Sequence, residues 1–222
     1  RSGEVIGIVG LSGCGKSTLL KIMAAQIIPE KFSIELKFEN NKSLVWDGKD
    51  ISRHAHYQRQ VGLVSQESHL FSESLRFNIT LNPEHEERFD EFWSWVCSQI
   101  EYLRKWKLEP SDRIEPKELS AGQRQLLAAI RACYLKKTIV LLDEISSALD
   151  SELEEALREV VRLIQSSCLT FVVAHRLETV RNANKIIVME DGRAIDSGIH
   201  SELLNFSKVY QQFVAELSLS NS

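Results

Sequence analysis

Residues 5–18 read VIGIVGLSGCGKST, and they carry the strongest structural signal in the chain. The first five residues are apolar and rich in β-branched side chains, which is typical of a strand buried on both faces of a parallel sheet. Three glycines follow within six residues, and apolar side chains recur at helical spacing after Lys16. A strand, a glycine-rich turn and a helix in this order predict the start of a βαβ unit.

The turn itself matches the pattern G-x-x-x-x-G-K-[ST] from Gly10 to Ser17, which predicts a phosphate-binding loop. Glycines let successive backbone N–H groups point at one phosphate group, and the helix that follows presents the positive end of its dipole. We expect Lys16 to bridge the β- and γ-phosphates and the Ser17 hydroxyl to take a Mg²⁺ position. The motif predicts that a nucleoside triphosphate binds, but it does not separate kinases, GTPases and ATPase motors.

The rest of the chain extends this unit into an α/β fold with a mainly parallel sheet. Helices are expected over residues 16–26, 121–135, 151–165 and 202–217. Buried strands are expected over residues 138–142 and 169–174, and a hairpin over 185–190 and 193–196, because Asp191-Gly192 favours a two-residue turn.

Two regions interrupt the alternation of strands and helices. Residues 27–65 are assigned to a small antiparallel β layer, and aromatic side chains at helical spacing predict an inserted helical block over residues 72–108. We therefore predict a P-loop NTPase core divided into residues 1–66 and 119–222, with a helical subdomain at residues 67–118.

Two neighbouring acidic residues end one of the buried strands. Asp143 and Glu144 follow an apolar run, and ligands of open α/β sheets lie at the carboxyl ends of the strands. Asp143 is expected to hold Mg²⁺ through water. Glu144 points to the opposite face of an extended chain, where it could polarise an attacking water.

The composition limits the remaining classes of function. The 222 residues are 43% hydrophobic and 26% charged, with a formal net charge of −4, which excludes a disordered chain or a coiled-coil rod. The chain has no long basic run, so its charge pattern does not indicate a nucleic-acid-binding surface. No apolar stretch approaches the roughly 18 residues that a membrane helix needs. The chain begins at Arg1 rather than Met, so we expect a fragment of something longer.

Further motifs follow the phosphate-binding loop in a fixed order. Residues 119–123 (LSAGQ) resemble the LSGGQ signature of ABC ATPases, with alanine where glycine is common, and residues 146–150 (SSALD) resemble the D-loop. His175 resembles the switch histidine, Gln66 the Q-loop glutamine, and residues 70–79 the exporter segment after the Q-loop. The chain resembles the nucleotide-binding domain of an ABC exporter over nearly its whole length.

The resemblance implies specific roles for single residues. The phosphate groups of ATP would be held by Gly10, Ser12, Gly13, Cys14, Gly15, Lys16, Ser17 and Thr18. Ser17, Gln66 and Asp143 would order Mg²⁺. Catalysis would fall to Glu144 as general base, His175 at the γ-phosphate, and Gln66. Ser120, Gly122 and Gln123 would bind the ATP of an opposing protomer, with Asp150 crossing the interface.

The resemblance also implies partners. Two nucleotide-binding domains would sandwich two ATP molecules head to tail, and transmembrane domains, expected upstream of Arg1 on the same chain, would be driven at the cytoplasmic face of a membrane. No nucleic acid is expected. Two alternatives stay open: an ABC ATPase of chromosome maintenance or DNA repair, and an ATP-binding regulatory module that does not hydrolyse. The sequence does not identify the transported substrate.

Overall fold

Strands and helices alternate along most of the chain in the computed structural model, which describes residues 3–37, 42–48, 50–65, 68–82, 86–143, 151–174 and 177–220. The strands are β1 (Val5–Val9), β2 (Ile34–Lys37), β3 (Ser43–Trp46), β4 (Val61–Val64), β5 (Ile139–Leu142), β6 (Leu169–Val173), β7 (Lys185–Glu190) and β8 (Arg193–Gly198). The helices are α1 (Lys16–Met23), α2 (Ile51–Gln60), α3 (Leu75–Thr80), α4 (Glu86–Gln99), α5 (Glu101–Trp106), α6 (Ala121–Tyr134), α7 (Ser151–Gln165), α8 (Leu177–Arg181), α9 (His200–Phe206) and α10 (Lys208–Ser220).

A six-stranded sheet in the order β4-β5-β6-β1-β7-β8 positions the candidate site. Five neighbouring strands of this sheet, β4, β5, β6, β1 and β7, run parallel. Strand β8 pairs antiparallel with β7 through a turn at Asp191 and Gly192. Both turn residues have positive φ, as a two-residue hairpin requires. The predicted α/β fold with a mainly parallel sheet is confirmed, and so is the hairpin.

The region after α1 is only partly the antiparallel layer that we predicted. β2 and β3 do form a separate two-stranded antiparallel sheet. The assignment of residues 61–65 to that layer is wrong, because β4 pairs in parallel with β5 in the main sheet. Helix α2 was also not predicted. The Asp50 side chain caps it by accepting hydrogen bonds from the backbone N–H groups of Ser52 and Arg53.

Two predicted helices have different ends. Helix α1 stops at Met23, three residues early, because the chain turns at Ala25 with a φ of +57°. The single helix expected over residues 202–217 is two helices, α9 and α10. The chain leaves the helical conformation at Ser207, whose φ and ψ are −92° and 107°.

In the described part of the chain, the apolar residues of the sheet and helices form three buried clusters. The largest joins α6 and α7 to one face of the sheet and includes Phe89 and Trp93 of α4. A second packs β2, β3 and α1 on the sheet around Trp46, and a third packs α8, α9 and α10 against β1 and β7 around Tyr210. No helix among the described residues combines the length and apolar character that a membrane crossing needs.

Candidate functional site

The phosphate loop (residues 10–18) joins the end of β1 to the start of α1, and its three glycines, Gly10, Gly13 and Gly15, all have positive φ. Gly10 has a φ of +150°, and a Cβ there would meet the carbonyl oxygen of Met189 and lie 2.7 Å from the Cys14 sulfur. Gly15 has a φ of +100° and is the N-cap of α1 without a side chain that could cap it. The first-turn amides of α1 are therefore left for water or an anionic ligand.

Lys16 folds back over the phosphate loop. Its ammonium donates hydrogen bonds to the carbonyl oxygens of Gly10 at 2.8 Å and Leu11 at 3.0 Å, with the Cys14 sulfur at 3.8 Å. The side chain is buried, and these three partners are uncharged. The positive charge therefore stays available to an anion at the loop.

Ser17 and Asp143 meet across the edge of the sheet. The Ser17 hydroxyl donates a hydrogen bond to Asp143 Oδ1 at 3.2 Å, and the Asp143 backbone N–H donates to Val64 O at 2.9 Å, which fixes the end of β5 beside β4. A hydroxyl and a carboxylate are the hard oxygen donors that Mg²⁺ prefers. The oxygen chemistry of this pair therefore fits Mg²⁺, which Ser17 would hold directly and Asp143 through water.

The β7–β8 turn supports the phosphate loop from the side, a contact that no sequence motif marks. The Gly192 N–H donates to the Cys14 carbonyl at 3.0 Å. A Cβ on Gly15 would lie 3.6 Å from the Cα of Gly192. The loop is thus held between the end of its own strand and a hairpin turn more than 170 residues later in the sequence.

A cavity of about 600 Å³ opens over the phosphate loop. Its volume falls in the range of small-molecule and cofactor sites. The predicted residues Gly10, Ser12, Gly13, Gly15, Lys16, Ser17 and Thr18 line it, whereas Cys14 is buried behind the loop. The opposite wall comes from α10, which contributes Phe213, Glu216 and Leu217.

The signature segment (residues 119–124) lies at the start of α6. Ser120 and Gln123 form a reciprocal capping box: the Gln123 N–H donates to Ser120 Oγ at 3.1 Å, and the Ser120 N–H donates to Gln123 Oε1 at 2.9 Å. The Ser120 oxygen is an acceptor in this pair, so its own O–H remains a donor. None of Ser120, Gly122 and Gln123 lines the phosphate-loop cavity.

Helix α6 is tied to α3 and to the segment before α3 by a half-buried arginine side chain. Arg131 donates to the carbonyl oxygen of Asn78 at 2.6 Å and to that of His69 at 3.0 Å, and burial lowers its pKa to about 10. The fully buried Asn78 side chain accepts from Phe71 N–H at 2.8 Å and donates to Phe71 O at 2.9 Å. No local sequence pattern marks these contacts, because Asn78 and Arg131 are 53 residues apart.

Four predicted site residues, Gln66, Glu144, Asp150 and His175, lie outside the described residues. Strands β4, β5 and β6 precede three of them and run parallel beside β1. The carboxyl ends of β4, β5 and β6 therefore lie at the same edge of the sheet as the phosphate loop, which follows β1. The described chain thus brings Ser17 to Asp143 and keeps the signature segment away from the cavity.

Comparison with known proteins identifies the family. Residues 1–147 match the family model described as ABC transporter. The chain is 35% identical to the ABC-type transporter fsqE of Aspergillus fumigatus over 98% of its own length and 17% of that protein. It is 34% identical to multidrug resistance protein 4 of Entamoeba histolytica, covering 99% of this chain and 17% of that protein.

A bacterial relative, the ATP-dependent lipid A-core flippase of Francisella novicida, is 32% identical over 95% of this chain and 35% of its own length. The chain thus spans between 17% and 35% of these three relatives. The resemblance predicted from the motifs is confirmed. The chain belongs to the ABC transporter family, as its ATP-binding domain.

Proposed function

We propose that this chain is the ATP-hydrolysing motor domain of an exporter. The observation that carries the proposal is the Ser17–Asp143 pair, 3.2 Å apart beside a phosphate loop whose lysine charge is met only by uncharged groups in the described chain. In this proposal Lys16 supplies the positive charge, the first-turn amides of α1 supply the backbone donors, and Ser17 and Asp143 supply the metal ligands that a nucleoside triphosphate requires. The names of the relatives, a multidrug resistance protein and a flippase, support transport as the use of that chemistry.

Each predicted residue has a role in this proposal. Backbone N–H groups of the phosphate loop and the Lys16 ammonium bind the ATP phosphates. Ser17, Gln66 and Asp143, the last through water, would hold Mg²⁺, which would neutralise phosphate charge. Glu144 takes a proton from the attacking water, and His175 donates to the γ-phosphate. Phosphoryl transfer depends mainly on such positioning and charge neutralisation.

A second copy of the domain completes the site in this proposal. Ser120, Gly122 and Gln123 lie outside the phosphate-loop cavity of their own chain, which supports their use on the ATP of a partner. The Ser120 hydroxyl keeps its proton free to donate to a γ-phosphate oxygen, and Asp150 crosses the interface. ATP would join two domains head to tail, and its hydrolysis would release them.

The proposed division of the chain follows from this scheme. Residues 1–66 and 119–222 form the ATPase core, and residues 67–118 form the helical subdomain. The length of the relatives supports transmembrane domains on the same polypeptide, which would place this domain at the cytoplasmic face of a membrane.

Binding is tested with Lys16→Ala, because this change removes the cation that faces the phosphates. We expect the affinity for Mg-ATP, measured by calorimetric titration of the purified chain, to fall by at least about tenfold. Lys37→Ala is the matched control, since Lys37 is exposed on β2 and lines no part of the cavity. Unchanged affinity in Lys16→Ala would contradict the assignment of the phosphate loop.

Hydrolysis and dimer formation are tested with Glu144→Gln. Loss of a general base should slow phosphate release by about 10²-fold or more while ATP binding survives. Because the dimer is then held by unhydrolysed ATP, light scattering with Mg-ATP should show an accumulated dimer. Turnover at the wild-type rate would remove Glu144 from this role, and a monomer at saturating Mg-ATP would contradict the shared site.

A further inference from the structure

Helix α10 places a carboxylate opposite the phosphate loop. Phe213, Glu216 and Leu217 are spaced three and four residues apart, so they lie on one side of the helix, and all three line the cavity over residues 10–18. Phe213 is buried in the third apolar cluster, which anchors this side of the helix to the sheet, and Leu217 packs at the edge of the same cluster. Glu216 is exposed and is one of the residues that line the cavity.

Two of the described residues that line this cavity, Lys16 and Glu216, carry charge, and their signs are opposite. Lys16 attracts phosphate groups, whereas the carboxylate of Glu216 repels them. Glu216 is exposed, so its charge acts on the cavity through water and is screened by salt. The repulsion grows with the negative charge of the ligand, so it is larger for free ATP than for the magnesium complex of ATP.

We propose that Glu216 gives the nucleotide cavity part of its selectivity for the magnesium complex of ATP over metal-free nucleotide. The proposal rests on the proposed function, because it requires ATP to bind at the phosphate loop. Glu216 acts by charge at a distance and is a specificity-determining residue of the C-terminal helix. The ATP-binding motifs lie between residues 10 and 175, so none of them includes it.

The test compares ATP affinity with magnesium and with a chelator in the wild-type chain and in Glu216→Gln. Calorimetric titration at low salt should show that the substitution tightens binding of metal-free ATP by about threefold to tenfold and binding of Mg-ATP by less. The ratio of the two affinities should therefore fall. The difference should shrink at high salt, since the Debye length drops to about 3 Å at 1 M.

Glu91→Gln is the matched control. It removes the same charge from an exposed position on α4, which lines no part of the cavity, and should leave the ratio unchanged. Glu216→Lys should move the ratio further in the direction of Glu216→Gln, which shows that charge rather than side-chain shape is responsible.

Two results would overturn the proposal and can be told apart from failure of the proposed function. An unchanged ratio in Glu216→Gln, with normal ATP binding by the wild-type chain, would remove Glu216 from selectivity and leave the motor assignment intact. Weaker binding of both forms would mean that Glu216 attracts the ligand, for example through ribose hydroxyls. A wild-type chain that binds neither form would contradict both proposals.

Discussion

The phosphate loop and the signature segment each open a helix, yet their backbone groups are satisfied in opposite ways. Helix α1 begins at Gly15 without a side-chain cap, and a cavity lies over its first turn. Helix α6 begins at Ser120 with a complete capping box, and its other end is held by Arg131. One loop is shaped by glycine backbone and needs a ligand to complete it, whereas the other is completed by its own side chains.

This difference fits the tasks that we propose for them. A loop that cradles phosphates must leave its N–H groups unpaired until the nucleotide arrives. A segment that presents donors to a partner's nucleotide must hold its shape before the partner arrives, because ordering it at that moment would weaken association. Substitutions in the two regions should therefore separate stability from ligand binding.

The largest effect on stability is expected from Asn78→Ala in α3, which Arg131 connects to the helix that the signature segment opens. The buried Asn78 side chain donates to the carbonyl oxygens of Phe71, Glu73 and Ser74 and accepts from the Phe71 N–H. Truncation leaves several buried groups unpaired, so the free energy of unfolding should fall by about 3 kcal/mol. Urea denaturation of the ligand-free chain measures this. A loss below about 1 kcal/mol would show that the Asn78 side chain does not stabilise the segment at residues 71–74.

The next largest effect is expected from Gly10→Ala, and Gly13→Ala is its internal control. Both positions have positive φ, but a Cβ on Gly13 meets nothing within 4 Å among the described residues, whereas one on Gly10 meets Met189 O. We expect a loss of about 1 kcal/mol from strain alone in Gly13→Ala and at least about 2 kcal/mol in Gly10→Ala. Thermal unfolding of the two variants side by side gives the difference. Equal losses would mean that the contact with the β7–β8 strands does not constrain the loop.

The phosphate loop and the strand ends could be predicted because their signals are local. A glycine-rich motif after an apolar strand fixes both the turn and the edge of the sheet at which it lies. Helix α2 was missed because residues 51–60 are mostly polar and few apolar side chains mark a helical period there, although Asp50 is a favourable N-cap residue. The break at Ser207 was missed because apolar periodicity continues across it.

The wall formed by α10 could not be predicted for a different reason. Helical periodicity indicates which side of α10 is apolar, but it does not indicate that Glu216 faces a loop about 200 residues earlier in the chain. The same holds for Arg131, whose partners lie in the segment before α4. Such contacts follow from tertiary packing, and no window of sequence contains both members.

The smallest effect, and the most direct comparison of the two regions, is a pair of serine substitutions. Ser120→Ala removes the capping box and should cost about 1 kcal/mol of stability without any ligand present. Ser17→Ala removes an exposed hydroxyl that bonds Asp143 and should change ligand-free stability by less than about 0.5 kcal/mol.

With Mg-ATP added, the order of the two variants in stability should reverse, because the shift in melting temperature depends on ligand affinity and Ser17 is a proposed magnesium ligand. Differential scanning calorimetry with and without Mg-ATP measures both quantities. If Ser17→Ala were destabilised without ligand as strongly as Ser120→Ala, the phosphate loop would depend on its side chains as the signature segment does, and the contrast between the two regions would be lost.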